Sequence, residues 1–381
     1  MNPLQELHDL DAPRTGLTAE GLVHSGRARV RRRRRVAAAG TAAAVLVLLT
    51  AGAVSLAAAR PQPDPRPALP QPSESVPQRQ CRPEWLPVSG KTPTEPPVVD
   101  PTGHWAAAVS ANHSELTIWH DGAKAAELHD RPFVGVAIAG ISAKGAVAVT
   151  AVTGVTAGGS GPRRPMIFTS GYTQALTLPP GTDPEAASEA FAMNSAGDVV
   201  GYVKVGGVAR AVRWPYRDPG RPVLLATPAD RSSTALAIGE DGTVGGFLAD
   251  HLDAKVPYVW RADGTGLALT LPPDVPSGAV QGVAGDWAAD YGRDLRWRLA
   301  EPGRSEPLGA GGAGHAIAAD GTVVTGQEVL DGHGQVALLP PDGYDRFALS
   351  GISADGRVVT GVAITGDAPA VGLPLQWVCG G

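Results

Sequence analysis

The chain is short of charge, of aromatic side chains and of cysteine. Of its 381 residues, 18% are charged, 5% are Phe, Trp or Tyr, and two are Cys. So little charge argues against a coiled coil or a long helical bundle, whose exposed faces are built from Glu, Lys and Arg. The net charge of −5 is also small, and 43% of residues are hydrophobic, which excludes wholesale disorder. Neither cysteine stands in a lipobox-like context, so a lipid anchor is not indicated. HExxH, CxxC, G-x-S-x-G and Walker A phosphate-loop patterns are all missing. Lysine is rare as well, five against 27 arginines, the usage of a high-GC bacterial genome.

What is abundant is glycine (49) and proline (35), together about 22% of the chain. Turn-formers at this density among Val- and Ala-rich runs point to a long all-β domain.

The N-terminus is set apart from the rest. Residues 1–35 hold eight arginines and four carboxylates, a balance of +4, and the remainder carries 24 basic and 33 acidic groups, a balance of −9. Arg31 to Arg35 abut an uncharged stretch, 36–59, of 24 residues. As a helix it would span about 36 Å, enough for a hydrocarbon core of roughly 30 Å. Arginines on one flank and polar, Pro-rich chain on the other orient it with the N-terminus in the cytoplasm. The expectation is a signal-anchor helix that contacts membrane lipid. A cleaved signal peptide ending at Ala57-Ala58-Ala59 is the alternative, set against a charged leader much longer than an ordinary n-region. The arginine run reads as a topology determinant beside anionic headgroups rather than as a nucleic-acid site. Residues 60–80 are too rich in Pro and polar side chains to fold and read as an extended spacer. The domain organisation expected is therefore a basic cytoplasmic tail (1–35), a transmembrane helix (36–59), a linker (60–80) and one large extracytoplasmic domain (81–381).

That last region repeats. Its phrase is an apolar segment, a short polar turn usually ending in Gly, then a Val-rich run. It occurs at Val99–Val109, Ile141–Thr150, Met193–Tyr202, Ile238–Phe247, Val283–Asp290, Ile317–Gly326 and Ile352–Gly361. Asp-Gly between β-forming runs marks a hairpin, since Gly takes positive φ at little cost. Spacings of about 35 to 52 residues match a propeller blade with variable loops. Third strands are expected at Trp119, Phe168, Trp214, Trp260, Trp297, Leu338 and Trp377, and fourth strands at AAELH, QALTLP, VLLATP, LALTLP, SEPLG and RFALS. The sequence thus predicts a seven-bladed β-propeller with one fourth strand missing.

CRPEWLPV, Cys81 to Val88, is the candidate for that strand, placed beside Leu373–Cys379. In an antiparallel pairing its start meets the end of the last third strand, which brings together Cys81 and Cys379 outside the reducing cytoplasm. A disulfide is expected there, with two free thiols as the alternative.

The repeats resemble the HAF-type extracellular repeat, in which a phrase like I-N-x-x-G-x-V-V-G precedes a short strand ending in Trp. Met193 to Gly201 followed by Ala211 to Trp214 is the best match, although a literal His-Ala-Phe is absent. The resemblance implies an exported propeller and no activity.

Candidate site residues come from the loops between second and third strands, which share one face with the inter-blade connections. These are Asp250, His251 and Asp253; Asp290, Arg293 and Asp294; and Asp331 and His333, with Arg163 and Arg164 from another blade. Together they would make a carboxylate and imidazole patch for a cation or a basic partner, with ordinary solvated loop polarity as the bland alternative. His104, His120 and His129 read as surface or packing residues. Gly309, Gly311 and Gly314 satisfy G-x-G-x-x-G but lack a strand–turn–helix setting, and Asn112-His113-Ser114 is a sequon expected by chance.

The expected function is a monomeric, membrane-anchored, non-catalytic binding module for an envelope protein or glycan, with no cofactor and no nucleic-acid partner. Signalling through the cytosolic tail and a propeller hydrolase or lyase are the alternatives.

Overall fold

The computed structural model describes residues 80–380 apart from 90–92, 114, 129–133, 153–160, 170–171, 251–253, 309–313, 327, 332–333, 345 and 365–371. All of these belong to the unit Glu74–Gly381. The expected tail, membrane helix and nearly all of the linker lie outside the described residues, and no described helix is long and apolar enough to cross a membrane.

The described chain is all β. Strand β1 (Gln80–Trp85) comes first, followed by β2 (Val98–Val99), β3 (Trp105–Val109), β4 (Leu116–His120) and β5 (Ala123–Leu128). Next are β6 (Val134–Ile141), β7 (Val147–Val152), β8 (Arg163–Thr169) and β9 (Tyr172–Ala175), then β10 (Glu189–Met193), β11 (Val199–Val205), β12 (Val208–Trp214) and β13 (Val223–Leu224). The fourth group of four is β14 (Ser232–Ile238), β15 (Val244–Ala249), β16 (Lys255–Trp260) and β17 (Gly266–Ala268). It is followed by β18 (Gly282–Ala284), β19 (Trp287–Asp290), β20 (Leu295–Arg298) and β21 (Ser305–Pro307). The last are β22 (Gly314–Ile317), β23 (Val323–Thr325), β24 (Val329–Asp331) and β25 (Gly334–Leu338), then β26 (Phe347–Ile352), β27 (Val358–Ile364) and β28 (Gly372–Cys379).

Five groups form separate four-stranded meanders, and the remaining eight strands form one sheet ordered β22-β23-β24-β25-β1-β28-β27-β26. The repeat count leads one to expect seven separate sheets, and hydrogen bonding gives six. The reason is local: β1 pairs antiparallel with β28 over five residues and also touches β25 in parallel through Gln80–Ala337 and Cys81–Leu338. The first strands β2, β6, β10, β14, β18, β22 and β26 each contact the next, and β26 returns to β2. This closed ring of meanders is a β-propeller.

The repeated phrase is the hairpin joining first and second strands. Gly103, Gly145, Gly197, Gly242, Gly285, Gly321 and Gly356 all take positive φ in these turns, as the Asp-Gly pattern predicts. The polar residue that opens the phrase is buried and caps the turn. Asp100 accepts the Trp105 N–H, Ser142 Oγ that of Ala146, Asn194 Oδ1 that of Asp198 and Ser353 Oγ that of Val358. The glycine at the third position of the second strand has another cause. A Cβ at Gly201 or Gly246 would lie about 2 Å from the carbonyl oxygen of Glu189 or Thr234, beside a bulge in the facing first strand.

The meanders pack on one another through Val and Ala with one indole per joint. Val200 and Ala211 of one meander meet Ala235, Val244 and Trp260 of the next. Five buried tryptophans on third strands reach back to the preceding meander. Trp119 Nε1 donates to Pro87 O at 2.7 Å, Trp214 to Thr177 O at 2.8 Å, Trp260 to Ala226 O at 2.7 Å, Trp297 to Thr270 O at 2.8 Å and Trp377 to Leu339 O at 2.8 Å. In every case the acceptor lies just past the outermost strand of its own meander.

Closure follows the expected register: Cys81 is opposite Cys379, and the two form a disulfide spanning 298 residues. Two sequence expectations are corrected. Leu338 is on the fourth strand β25, not a third strand, because the third strand β24 is three residues long and carries no Trp. RFALS accordingly belongs to β26, the first strand of the next meander, rather than to a fourth strand.

Two outcomes follow for stability. Trp260→Phe keeps the ring but leaves the Ala226 carbonyl unpartnered, and should cost about 1–3 kcal/mol in urea unfolding; an unchanged midpoint would deny the latch its role. Replacing both cysteines by serine should lower the thermal midpoint, with a chain-entropy limit on the order of 5 kcal/mol. Calorimetry showing the same midpoint with and without the bridge would count against it.

Candidate functional site

The strands give the ring two unlike ends. One end carries the seven first-to-second hairpins and the turns between third and fourth strands. The other carries the connections between meanders and the loops from second to third strands. Because β1 runs antiparallel to β28, its start lies at the hairpin end, where Gly380 N donates to Gln80 O at 3.2 Å.

Arg163 opens β8 at the connection end, and its Nη1 lies 2.9 Å from Glu189 Oε1. Tyr202 donates its hydroxyl to the same oxygen at 3.1 Å, and Phe191 stacks on the Tyr202 ring at 5.9 Å. Burial, then the Glu189 charge and hydrogen bond, push the Tyr202 phenol up to about 12. Arg164 Nη1 donates to Ala186 O at 2.7 Å and the Arg163 carbonyl accepts the Ser188 N–H at 3.1 Å, so both residues hold the 176–188 connection. Sequence reasoning missed Glu189, Phe191 and Tyr202. They lie on strands β10 and β11, and nothing in the local pattern separates them from ordinary strand residues.

Asp290 ends β19 at the same end of the ring and is 3% exposed. Its carboxylate accepts the N–H of Ala279 at 2.7 Å and of Arg293 at 3.0 Å, while Arg293 Nε donates to Ser277 O at 3.0 Å. Burial raises the Asp290 pKa against the pull of these donors and of the Arg293 charge. Asp290 and Arg293 thus brace the 277–279 connection. Asp294 follows in left-handed conformation, φ 59, and its carbonyl accepts the Leu308 N–H. Asp250 Oδ1 accepts Ala254 N at 3.2 Å within its own loop.

Asp331 is elsewhere. It ends the third strand β24 and pairs with Gly334, which puts it at the hairpin end, opposite Asp290. The displacement follows directly from the third strand being β24 rather than the run around Leu338. His251, Asp253 and His333 lie outside the described residues. Arg163 and Arg164 make no hydrogen bond or ion pair with Asp290 or Arg293 among the described residues, where no group of three or more His, Cys, Asp or Glu is placed to hold a metal ion. What the structure brings together is two separate braced loops on one face.

The hairpin end has its own polar cluster. His104 Nδ1 lies 2.6 Å from Asp121 Oδ1, His120 Nε2 lies 3.5 Å from Asp121 Oδ2, and the His120 ring packs 4.2 Å from Trp105. The hydrogen bond and charge of Asp121 raise the His104 pKa. These histidines are surface residues, as the sequence suggests, held by a shared carboxylate; His129 lies outside the described residues.

Glu189→Gln should bring the Tyr202 phenol down from about 12 toward the ordinary value near 10, read by ultraviolet pH titration against Tyr202→Phe. Between those two values the native state holds a proton that the unfolded chain has lost, so this group's contribution to stability falls as pH rises through the window. A Tyr202 titration unmoved by the substitution would remove Glu189 as a cause.

No family model matches the chain, and no curated protein matches it. Among solved structures it is similar to a putative TolB from Agrobacterium tumefaciens, at 15% identity and a TM-score of 0.39, over 58% of this chain and 81% of that one. It is also similar to Hsv2 from Kluyveromyces marxianus (11% identity, TM-score 0.41, 71% of this chain and 89% of that one). A third likeness is to the calcium-binding protein regucalcin from Agrobacterium tumefaciens, at 14% identity and a TM-score of 0.36, over 79% and 92% of the two chains. These values are too low to assign a function, and the β-propeller rests on the strand topology itself.

Proposed function

We propose that the chain is a membrane-anchored, extracytoplasmic seven-bladed propeller that serves as a non-catalytic binding module for an envelope protein or glycan. In this reading the eight-stranded sheet is two blades, β22–β25 and β26–β28 with β1, joined at their outer strands. The bacterial, HAF-like character of the phrase at Met193–Gly201 and the arginine-flanked apolar segment 36–59 support export with the N-terminus inside.

The observation that carries the proposal is the polarity of the ring. The chain enters at the hairpin end through Gln80, next to the closing disulfide. A Pro-rich spacer of residues 60–80, roughly 65 Å when extended at about 3.1 Å per residue, precedes it. The connection end, with Arg163, Arg164, Asp290 and Arg293, is the end of the ring opposite that entry point. Loops on a rigid scaffold are where binding surfaces concentrate, and these are held by hydrogen bonds of Arg164, Arg293 and the buried Asp290 rather than left free.

Both parts of the reading are testable with single cysteines, since the two native cysteines are bonded to each other. Asp274→Cys, on an exposed part of the connection end, should react with a membrane-impermeant maleimide on intact cells, and Ser25→Cys in the tail should not. A protected Asp274→Cys would overturn the topology. A photocrosslinker at Asp274 should yield adducts with envelope material that one at Asp263, at the hairpin end, does not; equal yields from both ends would remove the assignment of the binding face.

A further inference from the structure

The chain enters the ring through a weakly held strand. Of the six residues of β1 only Cys81 is buried; Pro83 is half-buried, and Gln80, Arg82, Glu84 and Trp85 are exposed. Pro83 has no N–H to give to the ladder. β1 meets β25 through two residue pairs and β28 through five. Its side chains add the hydrogen bond from Gln376 Nε2 to Glu84 Oε2 at 3.0 Å and the edge contact of Trp85 with Tyr344, ring centroids 5.4 Å apart. Strand β28 is held more firmly. Seven pairs join it to β27, six of its eight residues are buried, and Trp377 is latched to Leu339 O.

The disulfide lies where these two strands meet the incoming chain. Cys81 is the second residue of β1 and pairs with Cys379, the last residue of β28. Ahead of that bond β1 has the Gln80–Ala337 pair and the hydrogen bond from Gly380 N to Gln80 O. The four pairs from Arg82 to Trp85 all lie behind it. Tension on the chain before Gln80 thus reaches the S–S bond before it reaches most of the β1 ladder. Cys81 is 0% and Cys379 5% exposed, so an attacking thiol must wait for β1 to open.

We propose that the Cys81–Cys379 bridge is a mechanical clasp, which passes tension on the N-terminal chain to β28 and keeps β1 from being peeled away. Hydrogen-bonded pairs at the edge of a structure open and re-form locally, whereas the S–S bond parts only by chemical exchange. The tension then falls on a strand with seven pairs on its far side and its own indole latch. Opening of β1 is the step that would bare the sulfurs, and the bond itself prevents it. This role is separate from the chain-entropy effect, which acts on the unfolded chain and not on native contacts under tension. Only the source of the tension rests on the tethered reading above; the clasp itself is a property of the ring.

The test pulls single molecules of the full chain, in detergent, in an optical trap. One pair of handles is attached through azide-bearing residues at Ser75 and Asp274, the other through Gly381 and Asp274. In the parent both pairs draw on β28, so the ring should begin to yield at the same force through either. In Cys81→Ser/Cys379→Ser the Ser75 pull should begin to yield at a lower force than in the parent, while the Gly381 pull keeps its parental value. Parent protein folded first and then reduced, with both free thiols confirmed by mass, makes the same comparison without relying on the variant to fold. An equal loss of force through both handle pairs would make the bridge a general stabiliser and overturn the proposal. So would a Ser75 pull unchanged when the bridge is lost, or parent forces that differ between the two pairs. None of these results depends on where the tail lies in the cell, so a failed topology assay and a failed clasp are told apart.

Discussion

The ring depends on one contact made again and again: a buried indole N–H given to a carbonyl at the end of the preceding meander's outer strand. Sheets that pack face to face through Val and Ala have no directional interaction between them, so apolar burial alone would let neighbouring meanders slide. The bond from Trp260 to Ala226 O removes that freedom. It fixes the height of the third strand against the point where the previous fourth strand lets go, and satisfies a carbonyl beyond the reach of its own ladder. Proline follows the acceptor at once or one residue later in Thr177-Leu-Pro, Ala226-Thr-Pro, Thr270-Leu-Pro and Leu339-Pro. Proline cannot continue pairing, so the strand ends there and the chain leaves for the next meander.

Closure uses the same device together with a covalent bond. Trp119 donates to Pro87 O just after β1, and Trp377 to Leu339 O just after β25, so both flanks of the closing strand are latched. Between them the Cys81–Cys379 bridge joins the first outer strand to the last third strand. Backbone bonds at the hairpin end tie the turns to one another: Ala143 N to Ser195 O, Ala319 N to Ala354 O, and Ala354 N to Pro101 O across the closing joint. Three of the seven joints are thus bonded backbone to backbone at the hairpin end. Variation in length is kept out of most first-to-second hairpins, while at the connection end 176–188 and 269–281 are among the longer connections.

These differences decide what the sequence could show. The hairpin phrase was legible because its constraint is local: a glycine at positive φ, a capping Asp, Asn or Ser, and a following Val run all lie within ten residues. The disulfide was legible because the repeat register fixed which strand was missing. Leu338 was misplaced because β24 is short and lacks the Trp that marks other third strands, and Asp331 was carried to the wrong end of the ring with it. The site was less readable for a different reason. Asp290 looks like an exposed loop carboxylate in sequence, yet it is buried by the Ala279 and Arg293 N–H groups of two loops. No spacing rule announces a brace whose partner arrives from another connection.

The scarcity of aromatics finally has a structural meaning. Eight tryptophans are present, and five are latches. The third strands β8 and β24 lack an indole, so the joints into β6–β9 and β22–β25 have none from that side. At those two joints the preceding meander supplies one instead, from the first residue of its second strand. Trp105 lies so close over the next hairpin that a Cβ on Gly145 would come within 2.6 Å of its ring, and Trp287 covers Gly321 in the same way. Trp287 is further held between the guanidinium groups of Arg296 and Arg298, at 4.6 and 4.3 Å from its ring. Latch and cover therefore come from opposite sides of a joint while each joint keeps one indole, and of the eight tryptophans Trp85, 45% exposed on the closing strand, stands outside the scheme. A ring of small-residue sheets needs few indoles because each joint takes one, and these joints use seven of the chain's eight tryptophans.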